Sequence, residues 1–100
     1  MIDLTRIAGF DWDDGNRRKS SVKHDVTPLE AEQVFIGERL VIAEDVRHSE
    51  TEARYHVLGK TLASRCLHVT FTLRGEGTRI RVISARDMNR KERARYEEEA

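Results

Sequence analysis

The chain has one cysteine and six aromatic residues, and each scarcity argues against a class of protein. A single Cys66 cannot form an internal disulfide, which excludes a disulfide-stabilised scaffold. No apolar run approaches the roughly 18 residues that a membrane-spanning helix needs. With so few aromatic side chains, a sheet that binds RNA by stacking bases is not expected. The length of 100 residues predicts one domain over residues 1–100 with one modest core.

The N-terminal segment does not have the pattern of a secretory signal, and the histidines do not have the spacing of a metal site. Residues 1–10 contain Asp3 and no apolar core segment, unlike a secretory signal, so we expect a cytoplasmic protein with no membrane partner. The histidines lie at positions 24, 48, 56 and 68, and no pair has the close spacing of a helical metal site. We therefore expect no metal ion and no cofactor, and we interpret Cys66 as a packed thiol.

Arginine is what the sequence has in abundance, supplying 14 of its 18 basic residues. The net charge is zero, but residues 1–50 hold seven basic against eleven acidic residues, and residues 51–100 hold eleven against seven. Segment 74–95 is steeper, with eight basic and three acidic residues. Because arginine forms bidentate hydrogen bonds with phosphate, this segment predicts a polyanionic or acidic partner. The alternative, for its last part, is a solvated helix face.

The hydrophobic periodicity predicts an α+β fold of two layers. A short strand near Phe10 and a helix over 16–23 precede a second helix, which begins at the capping box Thr27-Pro28-Leu29-Glu30. Strands follow near 40–43, 54–58, 66–73 and 78–85, with a hairpin loop at 74–77. A C-terminal helix begins after Asn89. We expect an antiparallel sheet of about four to five strands with helices packed on one face.

Alternation along the last two strands predicts which side chains the helices leave uncovered. The uncovered face would carry Arg79 and Arg81 beside His68, Thr70 and Thr72. An antiparallel sheet can leave one face in water, so this arrangement is physically permitted. Side chains on a sheet are held rigidly, which suits the positioning of a phosphate.

These residue types suit metal-free cleavage of RNA, in which the 2′-hydroxyl attacks the adjacent phosphate in line. The reaction needs a proton acceptor, a proton donor and cations at the phosphate. His24 or Glu52 could act as the base, and Lys23 or protonated His24 as the donor. Arginine is a poor acid, with a pKa above about 12, and would instead stabilise the phosphate charge. The candidates for that role are Arg54, Arg74, Arg81 and Arg86.

Structural alternatives stay open for several of these residues. His24 could simply cap the last turn of the first helix, and Glu52 could only pair with Arg54 on an exposed edge. Arg74 precedes a glycine turn and could be solvated, and Ser84 could bond locally rather than contact a phosphate. The alternative to an enzyme is a non-catalytic module whose arginines only bind nucleic acid or a partner.

The order of several short motifs resembles the BrnT family. The resemblance runs from about residue 10 to residue 96, and each piece is short while the ordered set is specific. The motifs are Phe10-Asp11-Trp12-Asp13, Lys23-His24-Asp25-Val26-Thr27, Glu30-Ala31, Val34-Phe35, Glu52-Ala53-Arg54, Val69-Thr70-Phe71-Thr72, Ile80 to Arg86, and Arg90-Lys91-Glu92-Arg93 with Tyr96. Where the family has glycine after Lys-His, this chain has Asp25, which tolerates a positive φ better than most residues.

The resemblance implies a RelE-like toxin of a type II toxin–antitoxin module, an endoribonuclease that arrests translation. It implies neutralisation by a BrnA-like antitoxin that dimerises, which predicts a heterotetramer that meets DNA only through the antitoxin. Residue types and family pattern together predict the catalytic residues Lys23, His24, Glu52, Arg54, Arg74 and Arg86. They predict the RNA-binding residues Arg79, Arg81 and Ser84.

Overall fold

A computed structural model describes residues 3–48 and 52–100 of the chain and confirms the α+β class. Two short 3-10 turns, Leu4–Arg6 and Val46–His48, accompany the main elements. In chain order these are β1 Gly9–Phe10, α1 Asp14–His24, α2 Pro28–Phe35, β2 Val41–Glu44, β3 Arg54–Lys60, β4 Cys66–Arg74, β5 Arg79–Asp87 and α3 Arg90–Glu99. The strands form one sheet in the order β1-β5-β4-β3-β2. Within the described residues, no helix has the length and apolar character needed to cross a bilayer.

Helices α1, α2 and α3 each begin with a capping box, in which the side chain of the capping residue accepts from the backbone N–H three residues later and the side chain there accepts from the N–H of the capping residue. The capping residues are Asp13 for α1, Thr27 for α2 and Asn89 for α3. The boxes at Thr27 and Asn89 confirm the predicted helix starts. Helix α1 ends at His24 and is capped by Asp25, whose φ of 55° lies in the left-handed region. The position where the family has glycine therefore does require a positive φ.

The sheet is mixed rather than purely antiparallel. Strands β2 to β5 pair antiparallel with their neighbours, as predicted, whereas β1 pairs in parallel with β5. Strand β1 has two residues, Gly9 and Phe10, so its direction of pairing leaves no periodic signal in the sequence.

Helix α1 lies along the part of the β5 edge that β1 leaves unpaired. The Ser20 hydroxyl accepts a hydrogen bond from the backbone N–H of Ala85 at 2.7 Å. The Asn16 side-chain amide donates to the carbonyl of Val82 at 3.1 Å. These bonds satisfy groups that an open strand edge would offer to another chain.

One face of the sheet packs against α2 and the α1–α2 junction and forms the apolar core. Phe71 lies at its centre, with the Phe35 ring edge-on at 4.9 Å and the Tyr55 ring stacked at 5.5 Å between centroids. The buried members of this core are Val26, Ala31, Val34, Val57, Leu67, Val69, Phe71, Ile80, Val82 and Ala85. The β4 and β5 residues of this core alternate with those predicted for the uncovered face, except Ala85, which follows the bulge of β5.

The opposite face, which we call the polar face, follows from the strand register. Its side chains are Arg54, His56 and Leu58 on β3, His68, Thr70, Thr72 and Arg74 on β4, and Arg79, Arg81, Ser84 and Arg86 on β5. Thr70 pairs with Ser84 and Phe71 with Val82, so Ile83 is the additional residue of a β-bulge. The bulge shifts the alternation by one residue, and it thereby brings Arg86 onto the same face as Arg81.

Helix α3 packs across one end of the polar face, so the sheet has helices on both sides. The Tyr96 ring is buried against Leu58 and Met88, and Cys66 packs against the same cluster. The Tyr96 hydroxyl donates to the carbonyl of Arg39 at 2.9 Å. The rest of the polar face is left uncovered by α1 and α2, as the alternation predicts.

Candidate active site

Helix α3 and the polar face enclose a cavity of about 500 Å³, which we call the polar-face cavity. Strands β2 to β5 supply its floor and α3 supplies one wall. Its lining residues are Val41, Ala43, His56, Leu58, His68, Thr70, Arg86, Glu92 and Arg95. The cavity therefore combines two imidazoles, two guanidinium groups and a carboxylate on rigid elements.

His56 is held from both sides of its ring. Its Nε2 atom lies 2.9 Å from a carboxylate oxygen of Asp45, and its Nδ1 atom lies 3.0 Å from the Thr70 hydroxyl oxygen. A carboxylate only accepts hydrogen bonds, so Nε2 is the nitrogen that carries the proton and donates to Asp45. In the neutral ring Nδ1 then accepts from the Thr70 hydroxyl. These two bonds fix both the orientation and the tautomer of His56.

His68 lies beside His56, with 4.8 Å between ring centroids. Burial is the largest influence and lowers the pKa of His68 below its ordinary value of 6.5, against an opposing effect of Glu92. Arg86 and His56 add to the lowering. The Nδ1 atom is buried without a hydrogen-bond partner among the described residues, while Nε2 lies 3.6 Å from Glu92. His68 is therefore neutral at pH 7 and able to accept a proton.

Arg86 and Glu92 form a bidentate ion pair in the same cavity. The two terminal nitrogens of Arg86 donate to the two carboxylate oxygens of Glu92 at 2.8 and 2.9 Å. These bonds raise the pKa of Arg86. Burial pulls the pKa of Glu92 upward, but the bonds from Arg86 and the Asn89 N–H outweigh it, and that pKa lies below its ordinary value. Both groups are charged at neutral pH.

The structure brings six of the nine predicted site residues to one face, and Arg86 is the one of these that lines the polar-face cavity. Arg54, Ser84 and the arginines at 74, 79 and 81 extend the same face away from the cavity. Arg74 pairs with Glu52 at 3.1 Å. Glu52 precedes β3, and it therefore pairs with Arg74 at the end of the adjacent strand β4.

Arg81 also has acidic partners, at the start of α1. Its guanidinium donates to Asp13 at 2.7 Å and lies 3.5 Å from Asp11. The hydrogen bond to Asp13 raises the pKa of Arg81. The pKa of Asp13 is lowered, first by the hydrogen bond from the Asn16 N–H and next by the one from Arg81. This arginine therefore links the polar face to the helix that covers the β5 edge.

Lys23 and His24 lie elsewhere, in the last turn of α1 beside the β5 edge. Neither lines the polar-face cavity. The His24 carbonyl accepts from Arg65 at 3.4 Å, and the same guanidinium forms two bonds to Asp87 at 2.8 and 3.0 Å. The structure thus places this pair next to a structural ion-pair cluster.

None of His56, His68 and Glu92 was among the predicted site residues, although His68 was expected on the uncovered face. A usable signal was present, because His56 is two residues from Arg54 and so shares its face of β3. The meeting of His56 with His68 depends on the pairing register, and the approach of Glu92 depends on where α3 lies. The part of the chain that the structure describes contains no group of three histidine, cysteine, aspartate or glutamate side chains placed to hold a metal ion.

A family model described as the ribonuclease toxin BrnT of type II toxin–antitoxin systems matches residues 12–92. The chain belongs to the BrnT family. The resemblance drawn from the ordered motifs is confirmed, and with it the assignment to ribonuclease toxins of type II toxin–antitoxin systems. Membership of such a system implies an antitoxin partner.

A solved structure supports the same fold. The crystal structure of the Brucella abortus ribonuclease toxin BrnT superimposes with a TM-score of 0.61 at 18% sequence identity. The match covers 82% of this chain and 97% of the Brucella chain. At this identity the likeness establishes the fold. A search of curated protein sequences found no match.

Proposed function

We propose that this BrnT-family protein is a metal-independent endoribonuclease and that RNA is cleaved in the polar-face cavity. The observation that carries the proposal is the grouping of His56, His68 and Arg86 in one cavity. The two imidazoles lie 4.8 Å apart, one is neutral, and the other is held by Asp45 and Thr70. Proton transfer and phosphate stabilisation are the two demands of RNA cleavage by its own 2′-hydroxyl.

In this mechanism the 2′-oxygen forms a bond to phosphorus while the bond from phosphorus to the 5′-oxygen breaks. His68 accepts the proton of the 2′-hydroxyl. His56, protonated on Nδ1 in place of accepting a hydrogen bond from Thr70, donates that proton to the departing 5′-oxygen. Arg86 stabilises the negative charge on the non-bridging oxygens. The products are a 2′,3′-cyclic phosphate and a 5′-hydroxyl, so protons and bonds balance without another reactant.

The arginines that extend the polar face beyond the cavity would bind the flanking phosphates. Arg79, Arg81 and Ser84 keep the RNA-binding roles predicted from the sequence. Arg54, predicted as a catalytic residue, would instead bind a flanking phosphate. Arg74 would exchange its pairing with Glu52 for a phosphate, because both partners of that exposed pair are readily solvated. Lys23 and His24 remain predicted site residues, although they lie at the β5 edge and do not line the polar-face cavity.

The biological role that follows is arrest of translation by cleavage of cytoplasmic RNA. We propose that a BrnA-like antitoxin neutralises the protein and, by dimerising, forms a heterotetramer that meets DNA through the antitoxin. Expression of the toxin alone should stop growth, and co-expression with a BrnA-like antitoxin should restore it. Growth arrest that the antitoxin does not relieve would contradict this part of the proposal.

The catalytic proposal is tested with purified protein and RNA in the presence of EDTA. We expect cleaved RNA whose fragments end in 2′,3′-cyclic phosphate, and loss of cleavage in His68→Asn. Arg17→Ala, which removes an exposed charge on α1, is the matched control and should cleave normally. Binding of RNA without cleavage would favour the non-catalytic module, and cleavage that requires an added divalent ion would contradict metal independence.

A further inference from the structure

The guanidinium that the proposed function assigns to the RNA phosphate already holds a carboxylate. Glu92 accepts from both terminal nitrogens of Arg86, at 2.8 and 2.9 Å. This forked arrangement is the one that arginine also makes with phosphate. The Arg86 side chain is 35% exposed and that of Glu92 is 20% exposed, so the pair sits at the cavity surface, partly removed from water.

Helix α3 holds Glu92 in this position independently of any RNA. The Asn89 backbone N–H donates to Glu92 at 2.9 Å, and the Glu92 N–H donates to the Asn89 side chain at 2.8 Å. One turn later the buried Tyr96 fixes the helix on the sheet. The carboxylate is therefore presented to Arg86 by the start of a helix that is itself anchored.

We propose that Glu92 competes with RNA phosphate for Arg86 and so sets the affinity of the polar-face cavity for RNA. The inference rests on the proposed function, because it takes Arg86 as the phosphate ligand. A phosphate that enters the cavity meets the negative charge of Glu92 and must take over the N–H groups that it occupies. The free energy of breaking the ion pair is subtracted from the free energy of binding.

The hydrogen-bond pattern favours competition over simple orientation of Arg86. Both terminal nitrogens bond to Glu92, and one of them also donates to the Asp87 carbonyl at 3.1 Å. A carboxylate that only oriented the Arg86 side chain would leave its two terminal nitrogens facing the cavity. Competition also gives a role to the Arg90-Lys91-Glu92-Arg93 motif, which the catalytic proposal does not use.

Competition and simple orientation of Arg86 predict opposite changes in RNA affinity for Glu92→Gln. Glutamine keeps the capping box, since it serves at this helix position as glutamate does, but it removes the charge that competes with phosphate. The probe is a short 2′-O-methylated RNA oligonucleotide, which has no free 2′-hydroxyl and is not cleaved by the proposed mechanism. Fluorescence anisotropy with the full chain should show binding about threefold to fivefold tighter than in the unaltered protein.

Glu98→Gln is the matched control, because it removes the same charge from an exposed position on the same helix. At physiological salt its effect on affinity should stay below about twofold. Arg86→Ala should weaken binding, and adding Glu92→Gln to that variant should restore little, because the two residues act through one contact. A gain in the double variant as large as in the single one would overturn the inference.

Failure of the inference and failure of the proposed function are distinguishable. If Glu92→Gln leaves affinity unchanged or weakens it while Arg86→Ala still weakens it, competition is wrong and the cavity assignment stands. If Arg86→Ala changes neither binding nor cleavage, the proposed function itself fails. In the unaltered protein, the oligonucleotide should shift the NMR signal of the Glu92 carboxyl carbon, and an unshifted signal at saturation contradicts competition.

Discussion

The two faces of the sheet differ in what fills them and in how completely they are covered. The face under α2 is apolar and its central side chains are fully buried. The polar face carries ion pairs and histidines, and α3 covers it at one end, where Tyr96 provides the anchor. If RNA is cleaved as proposed, the apolar core and the chemistry lie on opposite sides of one sheet. Substitutions on one side should therefore leave the property of the other side largely unchanged.

The largest effect is expected from Phe71→Ala on the apolar face. Phe71 has no exposed surface and packs against the rings of Phe35 and Tyr55. Its truncation should lower the free energy of unfolding by about 3–5 kcal/mol, a large share of what a small domain has. Urea unfolding measures the loss, and a change below about 1 kcal/mol would show that the core does not carry the stability.

The next effect is expected from Arg86→Ala on the polar face, in the rate of cleavage rather than in stability. Loss of one group that stabilises charge in a transition state typically slows a reaction by about 10²- to 10³-fold. The free energy of unfolding should change by no more than about 1 kcal/mol, since the pair with Glu92 is partly exposed. Cleavage rates and urea unfolding on the same samples provide the test, and equal losses of activity and stability would break the comparison.

Because His68 lies on the polar face, its titration should make the free energy of unfolding depend on pH. The folded protein lowers the pKa of His68, chiefly by burial, whereas the unfolded chain binds that proton near pH 6.5. Below about pH 6.5 the unfolded state therefore binds more protons, and stability falls as the pH falls. The Glu30 and Asp87 carboxyls have folded-state pKa values below 4.5 and 3.8, so they contribute at lower pH.

His68→Asn removes this titration, so its free energy of unfolding should vary less between pH 7 and pH 5 than that of the unaltered protein. Thermal or urea unfolding at several pH values gives the slope. Identical slopes in the two proteins would show that His68 is not held neutral by the fold.

The smallest effect is expected from Asp25→Gly, at the junction of the two helices on the apolar side. Asp25 has a φ of 55°, which glycine adopts without steric cost. The substitution should raise the free energy of unfolding by about 1 kcal/mol or less and leave cleavage unchanged. Reduced stability would contradict the assignment of backbone strain to this residue, and altered cleavage would bring the end of α1 into the active site.

Much of the fold followed from local patterns. The capping box at Thr27 predicts the start of α2, and the alternation of β4 and β5 predicts the core residues, because each signal depends on neighbours in the chain. The parallel pairing of β1 left no such signal, since two residues have no period. The bulge at Ile83 is also invisible to strict alternation, which would place Arg86 on the apolar face rather than beside Arg81.

The site was predicted less completely for a related reason. The arginines share a face because of alternation within strands, which sequence reveals. The polar groups of the cavity come together because His56 on β3 lies beside His68 on β4 and because α3 places Glu92 against the same face. Register and helix docking are set by packing of the whole molecule, so those contacts required the three-dimensional structure.

NMR of the histidine side chains during titration with the 2′-O-methylated oligonucleotide tests whether RNA binds in the polar-face cavity. Binding there should shift the ring signals of His56 and His68 with the bound fraction while those of His24 stay in place. Shifts confined to His24, with the two cavity histidines unchanged at saturation, would contradict it.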